Sequence, residues 1–507
     1  MNSAILAVRE WTRILQVSEE TNRSKIQRFC LISIVAYFFV RLVFVAFTAN
    51  PYIPPDEVTH VGVIHYFAKF IFLPVNTVES GELGLITNVP YMYYYLMGKL
   101  ESLWRFPAFD LQFLRFLNIL LSFGTILYTW RLANLVAGHR SWIPVLSIAG
   151  LTNTPMFSYL SASVSYDNMA NLFAVMSIYY YVRFLHSGGI ATLMKGIAAL
   201  CAGTLTKYTL LPLALILTIA SIYHFRQKMK ISLSDIKLRR SLSAIRELGK
   251  RDKIWVILAA VLLCLNICLY GFNAIKYGKV VPEASQVVGL DQAIKYRTFA
   301  RDYIFREYKE GRLSYKQAIQ ATEIINHPGD RQAARFLVNQ FNYLKSTRWQ
   351  PMDPIAYLPT WCLTMLNGTI TIAGHQFMTR SNFWMTFYSL LAICLLFACI
   401  RTFHPRSENA IINHLVLLTG AYLFILYIMN YQYYLYYWIS EIGVQGRYCF
   451  PIIAPIWVLA WFFLSRLKIP YLGFNVALAL PIITIFIIGD FPYYLMHAGP
   501  EWYLRWP

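Results

Sequence analysis

The chain has 507 residues, of which 57% are hydrophobic, 16% aromatic and only 14% charged. A soluble protein of this length carries about a quarter charged residues, and apolar runs of roughly 17–22 residues recur here at the length a helix needs to cross about 30 Å of hydrocarbon; a soluble globular fold is excluded. The net charge of +20 does not argue for nucleic acid, because most of the basic residues flank the apolar runs, where they orient helices and meet anionic headgroups.

Taken in chain order, residues 1–28 are mixed-charge and amphipathic, with Arg9, Arg13, Arg23, Lys25 and Arg28. They lead straight into an apolar run that lacks a small-residue cleavage pattern, which predicts a cytoplasmic N-terminus and a retained first helix. Hydropathy predicts spans at about 29–49, 111–130, 142–160, 168–185, 191–207, 208–225, 254–273, 382–401, 410–431, 449–465 and 471–489. The fold class expected is therefore all-α: a polytopic transmembrane helix bundle of about 11 spans. With the N-terminus inside, the inner loops run from Arg131 to Arg140, Arg183 to Lys195, Arg226 to Lys253, Arg401 to Arg406 and Arg466 to Lys468, all basic. The short outer loops near Tyr166-Asp167 and from Tyr431 to Arg447 carry little positive charge, as the positive-inside rule requires.

Two long outer segments remain. The first, 50–110, contains PPDEVTH and the aromatic run VPYMYYYL, which reads as an interfacial or re-entrant helix because Tyr favours the headgroup level. The second, 274–381, alternates charged and apolar residues at helical spacing and predicts a small extracytoplasmic helical segment. The organisation expected is thus an amphipathic stretch over 1–28, a transmembrane module over 29–273 with a catalytic first outer loop at 50–110, the helical segment 274–381, and a C-terminal transmembrane module over 382–507. No internal repeat is visible, which weakens a transporter reading. The eight cysteines show no paired spacing and read as small apolar packing residues.

The candidate chemistry lies at the ends of spans. Pro54 and Pro55 stop the first helix and are followed by Asp56 and Glu57, with His60 three residues on and on the same helical face as Glu57. The bland alternative is that Asp56 caps a short helix and Glu57 offsets its dipole. Asp167, in SVSYDNMAN after Tyr166, opens a span and could equally be a cap. Lys207, in GTLTKYTLLP, falls between two runs on the side where cations are rare, and its bland alternative is a snorkelling side chain. Arg447, in GVQGRYCFP, opens a late span as a site residue or an interfacial anchor, and Gly446 before it permits close backbone approach. Threading puts all four places at one membrane face. Carboxylates beside isolated cations at one depth suit a phosphate and a polar group. Asn367-Gly368-Thr369 is a glycosylation sequon, meaningful only in a eukaryotic source; His375 reads as a surface histidine, with a site residue as the alternative; and the tyrosines ending at Trp438 mark the interface or stack on sugar.

At these residues the sequence resembles the GT-C glycosyltransferases, whose hallmark is an acidic pair in the first outer loop. The spelling is most similar to a bacterial family of uncharacterised multi-pass proteins that pairs a PPDE-x-x-H motif, here Pro54 to His60, with a late QGRY-x-x-P segment, here Gln445 to Pro451; SYDN at Ser165 to Asn168 and TKYT at Thr206 to Thr209 fall between. The resemblance implies a GT-C-like hexosyl- or pentosyltransferase at the outer face of a bacterial inner membrane, serving the cell envelope. Its partners would be a polyprenyl-phosphate-linked sugar, a glycan, lipid or protein acceptor, and membrane lipids. It implies Asp56 as the general base and Glu57 as its assistant, Lys207 and Arg447 on the donor phosphate, and His60, Tyr166 and Asp167 orienting substrate. A need for a divalent metal ion stays open, Asp56 and Glu57 being the residues that would hold it. The alternative to an enzyme is a transporter or flippase of a lipid-linked glycan, and a third option is a scaffold in an envelope-synthesis complex.

Overall fold

The computed structural model describes residues 2–77, 83–138, 141–229, 249–347, 349–372, 382–402, 410–466 and 474–504, with Ser80 and Met378. His375 and most of the basic loop from Arg226 to Lys253 lie outside the described residues. Helix α1, Asn2–Thr48, ends just before Asn50-Pro51, and the prolines at 51, 54 and 55 prevent its resumption. Two short helices follow, α2 over Glu57–Ala68 and α3 over Met92–Ser102, packed against each other. The aromatic run is thus an 11-residue helix, about 16 Å long and too short to cross a bilayer. Helix α4, Asp110–Ala137, then runs beside α1.

Among the described residues six helical stretches are long and apolar enough to cross a membrane: Ser24–Thr48, Pro107–Ala137, Asp252–Tyr277, Ile411–Tyr437, Gly446–Leu464 and Ala479–His497. The protein is an all-helical, integral membrane bundle. The run at 142–160, expected as one span, is instead two helices, α5 over Ile143–Thr152 and α6 over Pro155–Ser161. The reason is local. Pro155 has no N–H to continue the ladder, and the Asn153 side chain bonds back to the Ala149 carbonyl at 2.8 Å. Helix α7, Tyr166–Ser187, packs closely on α4 and on α8, Ile190–Thr206. Helix α9 covers Leu211–Met229.

The break between α5 and α6 has a second use. The Arg41 guanidinium, fully buried in α1, donates to Asn153 Oδ1 at 3.1 Å and to the Thr152 carbonyl at 2.7 Å. It also forms an ion pair with Asp490, which accepts from the Ser158 hydroxyl at 3.3 Å. A charge at membrane depth persists only when paired in this way.

Within 274–381 the helix Arg297–Lys309 packs on Pro328–Ser346 through Ile304, Phe305, Val338 and Phe341. This small core is closed by the tyrosine-rich end of Ala410–Tyr437: Phe305 lies 5.0 Å from Tyr437, and Phe341 lies 4.8 Å from Trp438. Tyr434 stacks on Tyr357 at 4.6 Å. Packing the helical segment is therefore what most of these aromatics do.

Candidate active site

Asp56 occupies the N-cap position of α2 but makes no side-chain capping bond, and its backbone is left-handed at φ 58. A non-glycine residue in that region is strained, and such strain collects at functional sites. The turn swings the carboxylate away from the helix end. It stays half-exposed, with Oδ2 3.3 Å from the Arg447 guanidinium. The capping alternative for Asp56 is therefore not what the structure shows.

Arg447 sits in the 3₁₀ turns Gly446–Ile452 that precede the helix Ile453–Leu464. Its Nε donates to Gln445 Oε1 at 2.6 Å, and its Nη1 lies 3.6 Å from Asp167 Oδ2. Glycine is required at 446: a Cβ there would fall 2.2 Å from the Gly368 carbonyl carbon and the Thr369 nitrogen, since the helix Pro354–Ile370 crosses backbone to backbone. That contact fixes where Arg447 begins.

Asp167 lies in the first turn of α7, but the cap is Ser165, whose hydroxyl accepts from the Asp167 N–H at 3.2 Å. The Asp167 side chain is free for other work and takes an ion pair from Lys207. Lys207 stands in extended backbone between α8 and the turn Tyr208–Leu210, a break that aims its ammonium inward. It is 6% exposed, which rules out snorkelling, and it lies over the rings of Tyr166 at 4.6 Å and Tyr448 at 5.3 Å. The result is one row of alternating charges: Asp56, Arg447, Asp167, Lys207. Four residues spread over the whole sequence meet here.

Glu57 faces elsewhere. It is fully buried, with Oε1 and Oε2 accepting from Arg115 Nε at 2.9 Å and Nη2 at 2.6 Å. Oε1 also accepts from the Val164 N–H at 2.7 Å. Arg115 in turn donates to the carbonyls of Ala46 and Ala49 at 2.9 and 2.8 Å, satisfying acceptors that the end of α1 leaves open. With both oxygens taken by a guanidinium, Glu57 does not fit a divalent ion shared with Asp56. Arg115 was not among the residues singled out from sequence, although an arginine inside an expected span is itself a signal.

His60 is buried on α2. Its Nδ1 shares a 2.8 Å hydrogen bond with the Tyr94 hydroxyl, and its ring meets that of Tyr166 edge-on at 4.6 Å. Burial pushes its pKa down to about 4, outweighing the nearby carboxylates of Asp56 and Asp167 that favour the cation. His60 is thus a neutral wall of the site. Beyond Tyr208, the neighbour of Lys207, a cleft of about 520 Å³ opens between the helical segment and the tyrosine-rich helix end, lined by Tyr296, Tyr303, Tyr433 and Tyr437 with Glu283, Asp302 and Arg306.

No protein-family profile and no curated protein sequence matches the chain. Two crystal structures of ArnT from Cupriavidus metallidurans, one bound to undecaprenyl phosphate and one in the apo state, are similar in structure. Identity is 12% and the TM-score 0.34 in both, over 85% of this chain and 77% and 76% of theirs. Likeness at that level carries no inference about ligand or reaction.

Proposed function

We propose that this protein is a membrane glycosyltransferase that moves a sugar from a polyprenyl-phosphate donor to an acceptor hydroxyl at the extracytoplasmic face of a bacterial envelope. The observation that carries the reading is the strained, half-exposed Asp56 carboxylate at one end of a buried row of charges containing two cations. Asp56 takes the acceptor proton as the acceptor oxygen attacks the anomeric carbon. The bond from that carbon to the phosphate oxygen breaks, and Arg447 and Lys207 receive the phosphate's charge. One displacement inverts the anomeric centre. No acid is needed, because a phosphate leaves without being protonated.

Each remaining residue has a place in this scheme. Asp167 holds the two cations apart and oriented before donor arrives. Glu57 positions Asp56 through its bonds to Arg115 and Val164 and does not itself meet substrate. The tyrosine-lined cleft suits an acceptor glycan, because aromatic faces and carboxylates are what sugars pack and hydrogen-bond against. The donor's tail would lie in lipid while its phosphate stays at the interface.

The test is transfer of radiolabel from a polyprenyl-phosphate sugar by purified protein in lipid nanodiscs. Transfer is expected from the wild type and should be lost in Asp56→Ala. Unchanged transfer by that variant would remove Asp56 as the base, and lipid movement without transfer would favour a flippase.

A further inference from the structure

The carboxylates best placed to share a metal ion lie away from Asp56. At the far end of α2, about 12 Å along the helix from Glu57, His65 meets Glu101 at the end of α3 and Asp110 at the start of α4. One ligand atom from each lies within 4.8 Å of the others. The three come from separate stretches of chain, so sequence adjacency does not explain the meeting.

We propose that His65, Glu101 and Asp110 form a divalent-cation site of the zinc class that fastens the ends of α2 and α3 to α4. A simple ion pair accounts for only part of the geometry. His65 Nε2 lies 2.6 Å from Glu101 Oε1, yet Glu101 is 9% exposed and its other oxygen, Oε2, is buried without a hydrogen-bond partner among the described residues. A buried carboxylate oxygen left unpaired carries a desolvation cost of about 1–3 kcal/mol or more, and a cation would remove it. One imidazole and two carboxylates are a donor set that suits Zn²⁺, with water as the fourth ligand. Bound donors at about 2.0–2.1 Å in a tetrahedron stand about 3.3 Å apart, so the groups need side-chain shifts of about an ångström. His65 is half-exposed, which gives an ion a way in. The site would be structural: it grips the end of α2 opposite Asp56 and takes no part in the transfer.

The experiment is calorimetric titration of Zn²⁺ into purified, chelator-stripped full-length protein, with Mg²⁺ as comparison and thermal unfolding alongside. One saturable Zn²⁺ site is expected, with a rise in Tm on binding. His65→Ala and Glu101→Gln should each weaken it by at least about 100-fold, beyond the loss expected for an outer-shell partner, and Asp56→Asn should leave it unchanged. Because His65 also partners Glu101 Oε1, His65→Ala is expected to unfold somewhat below the stripped wild type, and the loss of any further rise in Tm on adding Zn²⁺ is the readout. Asp110→Asn supplies an independent variant should Glu101→Gln fold poorly. Absence of saturable binding would overturn the proposal. So would binding that survives in His65→Ala and Asp110→Asn, or binding lost in Asp56→Asn but kept in His65→Ala.

Discussion

Glu57 gives both of its carboxylate oxygens to the Arg115 guanidinium, at 2.9 and 2.6 Å, in a fully buried pair. The adjacent carboxylates of the first loop are therefore unequal: one is locked into the protein and the other, Asp56, is presented to the site. Removing one partner of such a pair strands the other charge. Glu57→Gln and Arg115→Met should each lower stability by about 3–5 kcal/mol, and the double replacement Glu57→Leu with Arg115→Met should recover much of the loss. Thermal unfolding in detergent reads this out. Single variants as stable as the wild type would contradict the brace.

Asp56 predicts the opposite pattern. Its left-handed backbone costs about 1–2 kcal/mol relative to a residue that tolerates it. Asp56→Gly should therefore raise stability by roughly 1 kcal/mol while transfer falls by about 100-fold or more. Unfolding midpoints and turnover measured on one preparation should move apart; a joint fall would mean Asp56 is structural.

The close crossing at Gly446 gives a third expectation. Gly446→Ala places a Cβ 2.2 Å from backbone of the facing helix, so the helix must shift and Arg447 with it, and the yield of monodisperse protein in size-exclusion chromatography should collapse. Gly420→Ala, in open space on a helix, should be neutral or stabilising by about 0.4–1 kcal/mol.

His60 sets a pH dependence. Its folded pKa of about 4 lies below the ordinary 6.5. Above pH 6.5 neither state binds the proton, and the stability is fully present. Between pH 6.5 and 4 the unfolded chain takes a proton that the folded one refuses, so stability falls as pH falls, by up to about 3 kcal/mol. Unfolding followed from pH 7 to 4.5 should show this slope, and His60→Gln should flatten it. An unchanged slope would remove His60 as its source.

The row of charges carries two carboxylates and two cations, so it is balanced before any phosphate enters. Asp167→Asn should leave an excess of positive charge, hold the product phosphate about tenfold more tightly and slow turnover. Lys207→Met should raise KM for the donor. Product-inhibition constants for free polyprenyl phosphate distinguish the two. Equal inhibition in Asp167→Asn and the wild type would place the phosphate elsewhere.

The helical, membrane-spanning character was legible because hydrocarbon imposes it on composition. The meeting of Asp56, Asp167, Lys207 and Arg447 was also within reach, since each interrupts or opens an apolar run where a charge needs a reason. What each carboxylate faces was not legible. Glu57 finds its partner 58 residues away in α4, and no local spacing distinguishes it from Asp56. The split of 142–160 was written in Thr-Asn-Thr-Pro, where a proline and a back-bonding asparagine outweigh the hydropathy of their surroundings. The cation site proposed at His65 escaped because it is assembled by packing alone.

The pair of Arg41 with Asp490 bears on how the protein is made. The two are 449 residues apart, so a ribosome delivers the arginine long before its counter-ion exists. Until then the first span must wait with an unneutralised guanidinium, either at the headgroups or in the care of insertion machinery. Tight docking of α1, and the closing of the loop that bears Asp56, would then be among the last events of biogenesis. Truncation before residue 490 should yield a chain that inserts but is cleared by membrane quality control.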